Sequence, residues 1–357
     1  MIKTTRRTFL TASGSALALP FLGRRVGATE VIDIQIGSSH PTTNIWAHAM
    51  QAALQPEVDR LLAEKGAYSV RWHENYGGTL YKFTDTRTAV RDGIVDIGMV
   101  GTLWEGSAMP LQNITYYTPF ANDDHMAVIE IFDGLTDTLP ELKDSWTAQN
   151  MQHLSSLITD SYGIYANFPI TSVADVANRR LSAPGSSANW LAGTGATPVD
   201  GALTTYYTDI QTGVSEGTLS FASGIQPTRV YEVAPHLSRV GFGSMYFGGI
   251  AANLDFMAGL PPEVAEAIVT AGKHTSAAHG AYVTERSNAA LTEMQAAGLQ
   301  TVDFDASARA EWAATLPNIV QPWVEANGEA GLKVLHAYFD ALAARGLTPA
   351  RDWTSGL

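Results

Sequence analysis

The sequence predicts a mixed α/β protein folded as two lobes. Strand-like and helix-like segments alternate along nearly the whole chain. No low-complexity stretch, tandem repeat or linker separates independent domains. The length, 357 residues, suits one large domain or two lobes of ordinary size. Two lobes joined by several chain crossings fit these observations better than two beads on a string.

Residues 1–28 read as a targeting segment. Thr5-Arg6-Arg7-Thr8-Phe9-Leu10 is a twin-arginine signature, Leu10 to Leu22 is apolar, and Val26-Gly27-Ala28 offers small residues for cleavage. The apolar stretch is too short for a stable membrane anchor. A twin-arginine signal implies export of a folded chain to the periplasm. Every charge in this segment is basic (Lys3, Arg6, Arg7, Arg24, Arg25), so the rest is more acidic than the formal −13 of the whole chain. That balance argues against nucleic acid or anionic lipid as a partner. The absence of cysteine excludes disulfides, thiolate metal sites and a cysteine nucleophile.

The elements follow in order. Val31 to Ile36 alternates as a strand and ends in Gly37-Ser38-Ser39-His40-Pro41. A helix is expected from about Thr43 to Glu64, with Ile45, Ala49, Ala53 and Leu54 at helical spacing and Thr42 or Thr43 as its cap. Tyr68 to Trp72 is the next strand, Asp85 to Asp92 a short helix, and Asp96 to Val100 a third strand. Leu154 to Ile158 is apolar enough for a buried strand. Arg180 to Ala183 runs into the breaker pair Pro184-Gly185. Tyr206 to Thr212 reads as a helix, and Glu216 to Ser220 leads into another segment. Gly241 to Leu254 reads as one long extended stretch. Pro261-Pro262-Glu263 opens a helix running towards Arg286. Gln300 to Phe304 is a late strand, and Ser307–Thr315 and Ala330–Arg345 are closing amphipathic helices.

Catalytic patterns are scarce. Gly193-Thr194-Gly195 lacks the rest of a phosphate loop, and no G-x-S-x-G elbow or H-E-x-x-H pair occurs. Asp123-Asp124-His125 reads as a solvated turn rather than part of a metal site, and no metal or cofactor is marked. A hydrolase using paired carboxylates stays open, as it does for any acidic chain.

Four segments carry a family resemblance. They are Ile32 to Pro41; Ala89-Val90-Arg91-Asp92-Gly93-Ile94-Val95-Asp96-Ile97-Gly98; Ala174 to Gly185 with Gly195-Ala196-Thr197-Pro198; and Tyr207-Thr208-Asp209-Ile210-Gln211-Thr212-Gly213-Val214-Ser215-Glu216-Gly217. Their order and spacing resemble the solute-binding proteins of TRAP transporters, the DctP family. The resemblance implies a periplasmic-binding-protein-like fold with mixed sheets, hinge strands and an inter-lobe ligand cleft. It implies a job too: capture of a small polar organic solute and delivery to membrane permease subunits driven by an ion gradient. The expected division is 29–160 with about 246–285 as lobe I, and 161–245 with about 286–357 as lobe II and C-terminal helices.

The chain departs from the family where the family grips a carboxylate. The clamping arginine falls on Ser182, a second arginine falls near Tyr165, and an asparagine falls on Ser220. A serine hydroxyl supplies no charge to match two parallel guanidinium bonds. Arg179 or Arg180 could substitute; alternation turns Arg179 to the other face while Arg180 shares Ser182's, so a C4-dicarboxylate held by Arg180 stays as the alternative. What lies near the expected cleft is aromatic and acidic: Trp104, Glu105, Asp160, Tyr162, Tyr165, Trp190, Tyr206, Tyr207 and Phe221. His40, after the first strand, stands at the cleft edge. This set favours an amine, through cation–π attraction, or a neutral solute over a plain dicarboxylate.

Overall fold

The computed structural model describes residues 29–357, so the twin-arginine segment lies outside the described residues. The chain begins with β1 (Glu30–Gly37), α1 (Ile45–Ala49), a π turn (Met50–Leu54), α2 (Gln55–Lys65), β2 (Tyr68–Asn75), α3 (Thr86–Arg91) and β3 (Ile97–Gly101). Along β1, Ile34 and Ile36 are buried on one face, as alternation requires. The first helical run is capped not by Thr42 or Thr43 but by Asn44. Its extended backbone lets the side-chain oxygen accept from the Trp46 N–H at 2.9 Å.

Next come α4 (Ile114–Tyr117), α5 (His125–Thr138), α6 (Pro140–Thr147) and β4 (Met151–Ile158). The Asp123-Asp124-His125 run is the start of α5 rather than a free turn. The Asp124 carboxylate accepts from the N–H groups of Met126 and Ala127. A second set follows: β5 (Tyr162–Ala166), β6 (Arg180–Ser182), β7 (Thr197–Val199), α7 (Tyr206–Gln211), β8 (Gly217–Ser220), α8 (Ala222–Thr228) and β9 (His236–Gly243). The chain then runs through β10 (Tyr246–Asn253), α9 (Leu254–Gly259), α10 (Pro262–Ala296), β11 (Gln300–Asp303), α11 (Ala306–Thr315) and α12 (Val320–Ala344).

These strands form two mixed sheets, one per lobe, in the orders β2-β1-β3-β10-β4 and β11-β9-β5-β8-β6-β7. In the first, β1 is parallel to β2 and β3, and β10 runs antiparallel between β3 and β4. In the second, β6 is parallel to β7 and β8, while β5 is antiparallel to β8 and β9.

The stretch from Gly241 to Leu254, expected as one extended segment, is two strands in different sheets. Gly243 turns the chain with φ 116°, and a Cβ there would lie 2.7 Å from the Asn122 carbonyl oxygen. Only glycine fits both constraints. The crossing at Ser244-Met245 lies beside the crossing from β4 to β5. There Thr159 N–H donates to Met245 O at 3.0 Å, and Met245 N–H donates to the Thr159 hydroxyl at 3.1 Å. These paired crossings are the hinge strands. Helix α10, at 35 residues, is a third link, touching α2, α5 and β4 of the first lobe and α8 of the second. It runs ten residues past the expected end near Arg286, because Ala289-Ala290-Leu291 and the residues after them sustain a helix.

The closing helix α12 starts ten residues before its expected beginning at Ala330 and kinks at Gly328 (φ 58°, ψ −142°). It packs on α4, α5 and α6, which flank the first sheet, although the sequence grouped it with the second lobe. The Trp323 indole donates to Pro110 O at 3.1 Å, and Lys333 pairs with Glu141 at 3.2 Å. An amphipathic helix shows that one face is covered, not which distant element covers it.

Candidate functional site

A narrow chamber with about 10 Å³ of free space, room for about one water, lies between the lobes, lined by His40, Trp46, Leu103, Trp104, Tyr162, Pro184, Ala202, Leu203, Tyr206, Ser220 and Phe221. His40 follows β1, Leu103 and Trp104 follow β3, Pro184 follows β6, and Phe221 follows β8. These are the carboxyl ends of parallel strands, where open α/β sheets place their ligands. The lobes meet tightly across it: a Cβ built on Gly185 of the second lobe would lie 2.3 Å from Leu103 O of the first.

The walls are aromatic and held by one another. The Trp46 ring stacks on Phe247 with centroids 3.5 Å apart and meets Phe221 of the other lobe at 5.7 Å. Its N–H donates to Ile158 O at 2.9 Å, tying the wall to the hinge. The Trp104 ring lies edge-on to Phe247 at 5.4 Å, tilted on Phe83 at 5.2 Å and near-parallel to His40 at 6.1 Å. Tilted and edge-on pairs such as these add about 0.5–1.5 kcal/mol each beyond area burial, which helps preorganise the rings.

No lining residue carries a fixed charge. His40 is neutral, because burial holds its pKa down to about 4. Its Nδ1 sits 3.0 Å from the Ser39 hydroxyl. Two buried polar atoms of the lining have no hydrogen-bond partner among the described residues: His40 Nε2 and Trp104 Nε1.

The other expected site residues lie elsewhere. Glu105 is buried outside the lining and pairs with Arg87 at 2.6 Å. Asp160, in the β4–β5 crossing, caps α8: its carboxylate accepts from Ala222 N–H at 2.9 Å and from the Ser223 hydroxyl. Burial raises its pKa to about 6. Tyr165 and Asp160 line a second, open cavity at the hinge, with Asp123, Arg239, Asp303 and Arg309. Trp190 is fully buried, stacked on Tyr116 and Phe242, and donates to Tyr116 O at 2.7 Å. Ser182 is buried and donates to the Ser215 hydroxyl at 2.9 Å. Tyr207 is half-buried, and its neighbour Tyr206 faces the chamber instead. Arg180 is exposed and donates to Gly213 O at 2.8 Å. Of the expected residues, His40, Trp104, Tyr162, Ser220, Phe221 and Tyr206 meet in one place. Trp46, Leu103, Pro184, Ala202 and Leu203 complete the lining and were missed in the sequence. Their one signal is position, within a few residues of a parallel strand's carboxyl end or the helix that follows.

Among the described residues, no helix is long and apolar enough to cross a membrane, and no group of three or more His, Cys, Asp or Glu is placed to hold a metal.

A chamber shut between two hinged α/β lobes is the architecture of a solute receptor. The chain belongs to bacterial extracellular solute-binding protein family 7, DctP, whose pattern matches residues 44–327. This is the family of TRAP transporter solute-binding proteins, which bind small solutes and work with membrane permease subunits. The chain is 24% identical over 275 residues to the ectoine-binding periplasmic protein TeaA of Halomonas elongata, across 73% of this chain and 77% of that one. Its fold matches the Bordetella pertussis solute receptor DctP6, which binds pyroglutamic acid, with TM-score 0.76 at 18% identity over 87% of this chain and 100% of that one. It also matches a Sulfitobacter TRAP solute-binding protein with bound β-D-galacturonate, with TM-score 0.73 at 20% identity, over 87% and 100% of the two chains.

Proposed function

We propose that this protein captures a small organic solute in the inter-lobe chamber and delivers it unchanged to a TRAP permease, and that the solute is not a plain C4-dicarboxylate. The observation that carries this reading is the uncharged lining. A dianion shut into it would lose its hydration without a guanidinium to replace it. Arg180, the one substitute the sequence offered, is exposed and engaged with Gly213. Between the amine and neutral readings, the chamber favours the neutral one, since neither Glu105 nor Asp160 lines it. Ectoine, the solute of the TeaA relative, is net-neutral and compact and belongs to this class.

Residues 1–28 act as a twin-arginine signal, and the mature protein works in the periplasm. The lobes divide near residues 160 and 246, a division supported by the crossings at Thr159 to Ser161 and Ser244-Met245. Mass spectrometry of the small molecule released on denaturing freshly purified protein tests the reading. One intact organic solute without two carboxylates is expected. Release of succinate or malate would overturn the ligand class, and turnover of the solute by the protein would point to an enzyme.

A further inference from the structure

Resting on that receptor reading, we infer that the guest is a net-neutral molecule that turns a hydrogen-bond acceptor oxygen towards the first lobe, where His40 Nε2 and Trp104 Nε1 hold it. Two buried nitrogens of the lining lack partners among the described residues. An indole nitrogen only donates, so Trp104 asks for an acceptor. The imidazole is settled by its neighbour. The Ser39 hydroxyl is 3.0 Å from His40 Nδ1 and has no other partner among the described residues. If Nδ1 carried the proton, the serine hydrogen would be stranded in a buried site. With serine donating to Nδ1, Nε2 carries the proton and donates as well.

Both donors therefore belong to one lobe and line one chamber. A buried donor left unmade costs about 1–3 kcal/mol. An acceptor oxygen on the guest removes that cost twice, and only when the guest is present. The neutral lining then sets the charge. A lone carboxylate would face two neutral donors and no cation, whereas a carboxylate with its own internal cation, or a carbonyl, needs no countercharge from the protein. The free space left between the closed lobes, about 10 Å³, is room for about one water, so a guest enters only as the lobes part.

The test is titration calorimetry on the full mature chain after unfolding and refolding to remove any carried solute. Ectoine serves as a net-neutral ring with acceptor oxygens, piperidinium as a ring cation with no acceptor, and succinate as a dianion. Ectoine is expected to bind, with the other two at least about tenfold weaker. Trp104→Phe keeps an aromatic wall but removes the N–H, and His40→Phe removes the other donor. Each is expected to weaken ectoine about three- to tenfold, with the unfolding midpoint of the solute-free variant monitored as a folding control. Ectoine affinity unchanged in both variants would overturn the donor assignment while leaving the receptor reading intact. Tighter binding of piperidinium or succinate would overturn the charge assignment. If none of the three binds, the solute released from the untreated protein decides. A net-neutral molecule with an acceptor oxygen upholds the inference, a charged one overturns it, and no solute at all counts against the receptor reading itself.

Discussion

Two cavities meet at Tyr162, which lines both, and they handle charge in opposite ways. The hinge cavity holds Asp123, Asp160, Asp303, Arg239 and Arg309, and each finds its partner inside the protein. Arg309 pairs with Asp123 at 2.6 Å, Arg239 with Asp303 at 3.1 Å, and Asp160 with backbone and hydroxyl of α8. The inter-lobe chamber holds no fixed charge and leaves two N–H donors unpaired. Groups satisfied by the protein stabilise the fold whether or not solute is present. Groups left unsatisfied favour the closed form only when a guest completes them, and that difference is what lets binding drive closure.

Substitutions on each side of Tyr162 break or sharpen this contrast. The largest effect belongs to Trp190, fully buried on the core side. Trp190→Ala is expected to cost about 3–5 kcal/mol of stability, read by chemical denaturation. A loss of solute affinity at unchanged stability would instead place it in the binding surface. Next is the seam. Gly185→Ala puts a methyl group where the Leu103 carbonyl oxygen stands 2.3 Å away. Overpacking of the closed form is expected to weaken solute binding about ten- to hundredfold, read by calorimetry with the solute the protein releases. Unaltered affinity would mean that the lobes do not close this far around the guest.

Asp160 tests the hinge side through pH. Its pKa of about 6 lies above the ordinary 3.8, so the folded state holds the proton more tightly than the unfolded chain. The stability this proton confers is full below about pH 4 and is lost as pH rises through about 6. Tyr162 and Tyr165 face the same carboxylate and stay neutral throughout, since burial raises both well above their usual range. Asp160→Asn should lack this decline, so the variant gains on the wild type between pH 4 and 7 in denaturation midpoints. A pH-independent difference would place the carboxylate in solvent. The smallest effect is expected at Arg180. Exposed Arg180→Ala should change stability by no more than about 0.5 kcal/mol and leave solute affinity within about twofold. A large loss would revive the organic-acid alternative.

The same contrast explains what was legible in the sequence. Periodicity and strand-end motifs located β1 and β3, and with them His40 and Trp104 at their carboxyl ends; β6 and Ser220 came from the family resemblance, and β8 was not read as a strand. Chemistry alone misled where burial decides the role. Glu105 and Asp160 look like ligands for a cation, but one is matched to Arg87 and the other caps a helix. Trp190 and Tyr165 look like cleft aromatics, yet Trp190 stacks on Tyr116 and Phe242 and Tyr165 faces the hinge cavity. At Tyr206-Tyr207 the helix phase chose which ring faces the chamber, a choice a one-residue shift reverses. Leu203 and Pro184 carry no chemical signature, so only the assembled lobes reveal them.

A crystal structure of the protein with its solute tests the central claim most directly. Guest density is expected enclosed by His40, Trp104, Tyr206 and Phe221, with an oxygen within hydrogen-bond distance of His40 Nε2 and Trp104 Nε1. Density in the hinge cavity beside Asp160 and Arg309 would contradict it.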